Sequence, residues 1–401
     1  MRILIVTQYF WPESFPINDL ALALKDRGHV VEIFTGKPNY PKGEFTNGYT
    51  FLNKRVDNWN GIKIYRSPLI PRGSGKGIQL FINYFSFAFF ASIRLLFIKG
   101  RFDKIFVYEP SPITVGIPGI VSKLKFKAPM FFWVQDLWPE SISAAGGVKN
   151  KFVLGLFNWL TKLIYNNSTK VLVQSKAFIP YILGQRIPDN KLIYYPNSTE
   201  NYFKILSPDK NILRTLPMGI KLMFAGNIGE SQSFETLLKA AVILKNENIN
   251  VHWIILGEGR MKKFVEQRII ELGLERYFHL LGAYPGTEMP KYFSCADALI
   301  VSLKKDPVFA HTILSKIQSY IACGKTIISS FDGESSRIID EAHAGFTSPS
   351  EDSLALTNSI KKFLSLNVSE QKILGKNARV YFDKEFEREL LVDKLEEILK
   401  N

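Results

Sequence analysis

Short apolar runs recur along the first half of the chain at 3–6, 30–34, 105–108, 130–134 and 171–173. Between them lie longer stretches in which apolar residues return every three or four positions. Runs of three to five apolar residues suit strands buried on both faces, and their alternation with helical periodicity predicts βαβ units around a parallel sheet. The second half repeats the pattern, with strands expected at 222–225, 253–256, 298–303 and 326–329 and helices at 234–245, 261–272, 315–322 and 352–364. The reading is an α/β chain of two Rossmann-like domains. Tyr195-Pro-Asn-Ser-Thr-Glu200 carries turn residues and the polar 207–217 follows it, which places the boundary there. The expected domains are 1–198 and 199–380. The charged stretch 369–400 is expected to be helical, its last part, 381–401, returning to the first domain.

One segment departs from this alternation. Residues 77–98 are dense in phenylalanine and bordered by Lys76, Lys99 and Arg101, while Gln79, Asn83 and Arg94 interrupt the run. A central arginine costs about 2.5 to 3.5 kcal/mol on insertion scales, which argues against a clean membrane span. Three readings stay open: a helix packed on the first sheet, an interfacial helix whose phenylalanines enter lipid, and, against the cost of that arginine, a true span.

Length and charge narrow the field. A chain of 401 residues exceeds what one core usually supports. Its 51 Lys and Arg against 37 Asp and Glu, a formal charge of +14, call for an anionic partner. Nucleic acid is the poorer candidate, because the cations are scattered and no nucleic-acid motif is present. Cys295 and Cys323 stand in no CxxC or Cys/His array, which fits a reduced compartment without structural zinc. The opening apolar run is too short for a signal peptide, so a cytoplasmic location is expected.

Candidate chemistry gathers in the second half. Ala225-Gly-Asn-Ile-Gly229 and Leu256-Gly-Glu-Gly259-Arg260 each follow an expected strand, where glycines let backbone approach a phosphate. The plainer reading of each is an ordinary strand-to-helix turn. Stronger is Thr312-Ile-Leu-Ser-Lys316-Ile-Gln-Ser-Tyr320-Ile-Ala-Cys-Gly324-Lys325. A helix opening with Ser315-Lys316 aims its first turn and an ammonium at an anion; otherwise Lys316 is a solvated surface lysine.

These motifs together resemble a family-four glycosyltransferase of GT-B fold. The resemblance is carried by Asp26-Arg-Gly-His29, Tyr195-Pro-Asn197, Phe224-Ala-Gly-Asn227, Leu256-Gly-Glu-Gly259 and Ser294-Cys-Ala-Asp297, and it spans nearly the whole chain. Within the family, Thr7-Gln-Tyr-Phe-Trp-Pro-Glu13, Pro38-Asn-Tyr-Pro41, Val134-Gln-Asp-Leu-Trp-Pro-Glu-Ser141 and Ser315-Lys-Ile-Gln-Ser-Tyr320 resemble the WbuB-type branch of O-antigen and capsule synthesis, whose named activity transfers N-acetyl-L-fucosamine.

The resemblance implies retaining transfer of an N-acetyl-deoxyhexosamine from a UDP-sugar to a lipid-diphosphate-linked saccharide at the inner face of the bacterial plasma membrane. It implies no metal or other cofactor. Gly226, Asn227, Gly229, Gly257, Gly259, Arg260, Gly282, Ala283, Ser315, Lys316, Gln318 and Ser319 become the expected donor site. Asp136 answers to the family's carboxylate at the cleft, orienting or deprotonating the acceptor hydroxyl. Its plainer role is to cap a helix near Trp138. Glu13, Glu109 and Glu140 are further acceptor-site candidates.

Departures from the family pattern sharpen these expectations. Asn227 and Gln232 stand where the family holds the diphosphate with Arg and Lys, so Lys316, then Arg260, is expected to supply the cation. The family's paired glutamates fall on His311 and Ser319, which shifts donor contacts to Ser319 and Gln318. A UDP-sugar 2-epimerase on the same fold is the alternative.

Overall fold

The structure, a computed structural model, describes residues 1–75, 77–142 and 150–401. It divides into two compact units, one of 1–197 with 392–401 and the other of 198–391.

The first unit holds an eight-stranded sheet. Its strands are β1 (Arg2–Val6), β2 (Val30–Gly36), β3 (Val56–Trp59), β4 (Ile62–Ser67), β5 (Lys104–Glu109), β6 (Met130–Val134), β7 (Lys170–Val173) and β8 (Leu192–Tyr194). They run in the order β3-β4-β2-β1-β5-β6-β7-β8 and are parallel except for β3, which pairs antiparallel with β4. The second unit holds six parallel strands, β9 (Ile220–Ala225), β10 (Val251–Leu256), β11 (Phe278–Gly282), β12 (Ala298–Ser302), β13 (Ile327–Ser330) and β14 (Gly345–Ser348), ordered β11-β10-β9-β12-β13-β14. That is the doubly wound order, with its switch point between β9 and β12. Ligands of such sheets bind outside the carboxyl ends of the strands near that point.

The apolar runs account for the central strands. Leu222, Phe224, Trp253 and Ile255 are buried against the helix Phe234–Asn246, and Leu4, Val107, Phe132 and Val171 join the core of the first unit. The C-terminal stretch is two helices, Val368–Glu385 and Arg388–Lys400, rather than one. The first stays with the second unit, where Arg379 donates to Ala322 O at 2.8 Å. From Val392 onward the chain belongs to the first unit. There Leu395 and Leu399 are buried, Arg27 pairs with Asp393, and His29 Nε2 lies 2.6 Å from Glu396 Oε1. The return therefore begins at 392 instead of 381.

The phenylalanine-rich segment is a helix, Gly77–Leu96. Tyr84, Phe87, Ala91 and Leu95 pack into the core, whereas Ile78, Phe85, Phe89 and Leu96 face outward. Both faces of this helix are apolar, one buried in the core of the first unit and the other exposed among the described residues.

Candidate active site

Three strand ends and one helix enclose a cavity of about 460 Å³ in the second unit. Gly226 and Asn227 follow β9, Gly257 and Glu258 follow β10, and Ala283 follows β11; Ser315, Lys316 and Ser319 come from the helix Ser315–Ala322. The position is the switch point of the sheet.

Gly226 takes φ +139°, a conformation that residues with side chains rarely adopt, and this turns the chain sharply at the end of β9. The stem of Lys316 lies across it, so a methyl added at Gly226 would come within 2.5 Å of Lys316 Cε. Lys316 Nζ donates to Gln232 Oε1 at 2.6 Å and sits 3.9 Å from the centre of the Phe224 ring. Among the described residues no carboxylate lies within ion-pair distance of it. Burial therefore pulls its pKa down to about 7. Among the described residues no side chain caps the start of the helix Ser315–Ala322. A helix start and an ammonium lacking a counter-charge together have the chemistry to hold an anion.

The other expected donor residues divide around this site. Asn227 is wedged between Gly229 and Gly259, where an added methyl would meet its side chain at 2.5 and 2.6 Å. These two glycines and Gly282 shape the turns without lining the cavity. Gln318 is buried on its helix but does not line the cavity, and His311 is exposed at the end of the helix Pro307–His311. Arg260, the second-choice cation, is 74% exposed and bonded to Glu230 at 2.9 Å, outside the lining. Sequence adjacency to Gly259 does not bring its side chain inward. Reading motifs missed Glu200, Phe203, Tyr284, Met289 and Phe293, which complete the walls. Their one common signal was position, just after the linker or next to the strand-end turns.

In the first unit the expected acidic residues occupy distinct settings. Glu13 is buried and accepts from the backbone N–H groups of Asn39 and Tyr40, each at 2.7 Å, and of Phe10 at 3.3 Å. Burial pushes its pKa up to about 7 against those bonds, and its oxygens serve to tie two loops together. Glu109, at the end of β5, is fully buried and accepts from Gln135 N and Asp136 N at 3.4 Å each. Burial first, and the Asp136 charge second, raise its pKa well above the carboxylate range. Glu140 bonds the Tyr181 hydroxyl.

Asp136 follows β6 and is half-buried. Burial lifts its pKa to about 6, opposed by a bond from Ser111. Ser111 itself is held at φ +97°, so backbone strain is stored beside this carboxyl. Trp138, two residues on, is packed by Tyr84 at 6.4 Å and Phe157 at 5.2 Å.

Comparison with known proteins agrees with this architecture. Residues 209–381 match the family model "Glycosyl transferases group 1", and residues 17–198 match "Glycosyl transferase 4-like domain". The chain is 25% identical over 293 residues to the glycosyltransferase WbjE of Pseudomonas aeruginosa, covering 70% of this chain and 71% of that protein. It is 23% identical over 339 residues to the colanic acid biosynthesis glycosyl transferase WcaI of Escherichia coli, covering 81% and 82%. The fold matches that of Anabaena HepE in complex with UDP, with a TM-score of 0.67 at 14% identity over 100% of each chain. With both units matched by transferase models and both sheets doubly wound, the chain is a glycosyltransferase with the two Rossmann-like domains of GT-B enzymes, its second unit carrying the group 1 domain.

Proposed function

We propose that this enzyme transfers an N-acetyl-deoxyhexosamine, N-acetyl-L-fucosamine being the first choice, from its UDP-sugar to a lipid-diphosphate-linked saccharide in O-antigen or capsule synthesis, with retention at the anomeric carbon. The observation that carries this reading is the Lys316 ammonium, set over Gly226 beside an uncapped helix start. As the sugar departs, negative charge grows on the diphosphate. A cation and N–H groups already in place stabilise that charge without reorganising, so no metal is assigned to the step. Asp136, half-buried and near the middle of its titration at pH 6, orients or deprotonates the acceptor hydroxyl. The named relatives support a polysaccharide acceptor, and the UDP complex of the similar fold supports the nucleotide. The epimerase alternative is set aside, since the relatives are transferases.

The lipid part of the acceptor places the enzyme on the cytoplasmic side of the plasma membrane, and one face of the first unit supports this. The helices Gly77–Leu96, Gly116–Phe126 and Lys151–Asn167 contain no Asp or Glu. Phe85 and Phe89 of the first are exposed, as are Phe152, Leu156 and Trp159 of the third, and the two helices meet where Phe85 and Phe157 lie 6.0 Å apart. Arg94, Lys123, Lys125, Lys151 and Lys162 supply only positive charge. An apolar surface flanked by cations fits an anionic bilayer, where the helices lie on rather than across the membrane. Phe157 also packs on Trp138, so the same helices brace the Asp136 loop.

The test is a UDP-release assay over a panel of UDP-sugars, with the saccharide acceptor carried in anionic vesicles. We expect release from an N-acetylated deoxyhexosamine donor, and only with acceptor present. Turnover without acceptor contradicts the transferase reading. The double variant Phe89→Ser, Trp159→Ser is expected to lose activity on vesicles by roughly ten-fold or more, given about 1.5–3 kcal/mol per buried aromatic. It should act normally on a water-soluble acceptor, and equal activity on vesicles would remove the membrane face.

A further inference from the structure

The cavity that holds Lys316 is also lined by two carboxylates, Glu200 and Glu258, which an anion site alone does not explain. Glu258 is neutralised by Lys262 Nζ at 2.6 Å. Glu200 has no such partner, and among the described residues no cation lies within ion-pair distance of it. We propose that Glu200 is the carboxylate that binds the vicinal ribose hydroxyls of the nucleotide donor, where the sequence had pointed to Ser319 and Gln318 for donor contacts. The assignment rests on the nucleotide-sugar reading above.

The segment bearing Glu200 is fixed to the second unit rather than loosely draped over it. Ser198 Oγ donates to Phe386 O at 2.8 Å, Phe203 N donates to Glu200 O at 3.0 Å, and the Phe203 ring stacks on Phe293. Within this turn three polar contacts converge. Thr199 Oγ1 donates to Glu200 Oε2 at 3.1 Å, Thr199 Oγ1 lies 3.1 Å from Ser319 Oγ, and Ser319 Oγ donates to Ser315 O at 3.1 Å.

Those contacts cannot all be hydrogen bonds at once. A hydroxyl has a single proton to give, so Thr199 and Ser319 offer two protons to three contacts. The set is one donor short, and the carboxylate is the strongest acceptor in it. A ligand hydroxyl placed at Glu200 supplies the missing donor and frees Thr199 for Ser319. Two neighbouring hydroxyls serve a carboxylate better than one, since each of its oxygens can accept. The ligand that satisfies both ends of the cavity carries a diphosphate for Lys316 and a diol for Glu200. Acidic residues that read ribose hydroxyls near a phosphate-binding turn are a known solution in doubly wound folds.

The test compares calorimetric affinities of the full chain for UDP and for 2′,3′-dideoxy-UDP, which lacks the diol. The wild-type chain should prefer UDP by about 10- to 100-fold, the range expected for hydrogen bonds to a charged group. In Glu200→Gln that preference should fall below about three-fold, with affinity for the dideoxy nucleotide unchanged. Glu258→Gln should keep the full preference. An undiminished preference in Glu200→Gln, or its loss in Glu258→Gln instead, overturns the assignment while leaving the nucleotide reading intact. If the wild-type chain binds neither nucleotide, the nucleotide reading fails and the assignment goes with it.

Discussion

Lys316→Ala is expected to weaken UDP-sugar binding by roughly 10- to 100-fold, since a hydrogen-bonded charge contributes about 1.5–3 kcal/mol. Turnover should fall further, because charge on the diphosphate is greatest as the sugar leaves. The fold should survive, as among the described residues Lys316 reaches Gln232, the Phe224 ring and the Gly226 turn. The same residue sets two pH dependences. Its folded pKa of about 7 lies well below the ordinary lysine value, so between the two the unfolded chain binds more protons than the folded one. Stability of the ligand-free enzyme therefore rises with pH across that window, by at most ~1.4 kcal/mol per pH unit, and Lys316→Ala should flatten the rise. Donor binding runs the other way. A diphosphate favours the charged amine, so affinity should decline as pH climbs above about 7 in the wild type and not in the variant. Unchanged affinity in Lys316→Ala would remove this lysine from the site.

A large stability effect is expected at Gly257. Its added methyl would lie 1.9 Å from the carbonyl oxygen of Gly226, and both atoms belong to strand-end backbone that has little freedom to move. Gly226 N donates to Leu256 O, and Gly257 N to Gly282 O, each at 2.8 Å. These bonds lock the ends of β9, β10 and β11 together. Gly257→Ala should cost about 3 kcal/mol or more, lowering the Tm of the second unit by roughly 6–12 °C. UDP binding should be lost with it, because the turn beneath Lys316 must move. Gly155→Ala serves as the control: nothing lies within 4 Å of its added methyl, and an exposed helical glycine gains up to about 1 kcal/mol on replacement. Differential scanning calorimetry of the three chains decides the matter. A Gly257→Ala enzyme as stable as the wild type would mean that the three strand ends are not packed as described.

How much of this was legible in the sequence follows from burial. Central strands such as β9 and β10 are covered on both faces and read as unbroken apolar runs. The strands that pattern reading missed were β3, β4, β8, β11 and β14. Four of these are sheet edges, where one side lacks a neighbour and the run is short or polar, as in Gly345-Phe-Thr-Ser348 of β14. The fifth, β4, hides Arg66, fully buried and donating to Gly36 O, within an otherwise strand-like segment. The cavity was partly legible because its glycine turns fall at the carboxyl ends of the parallel strands, where doubly wound sheets bind ligands. Arg260 stood second to Lys316 in sequence, and burial separates them further: one side chain crosses a glycine into the cavity, the other points to solvent and Glu230. Glu200 and Phe203 could not be found from spacing, since they reach the cavity from a turn more than a hundred residues away from Ser319 in sequence.

The central claim is that the Lys316 ammonium meets the donor diphosphate, and proton uptake on binding tests it most directly. UDP would be titrated calorimetrically at about pH 8 in two buffers of different ionisation enthalpy, with wild type and Lys316→Ala in parallel. The wild type should take up close to one proton per UDP, because a largely neutral amine becomes charged, and the variant should take up none. Equal uptake in both chains, or tight binding by the wild type with no uptake at all, would contradict it.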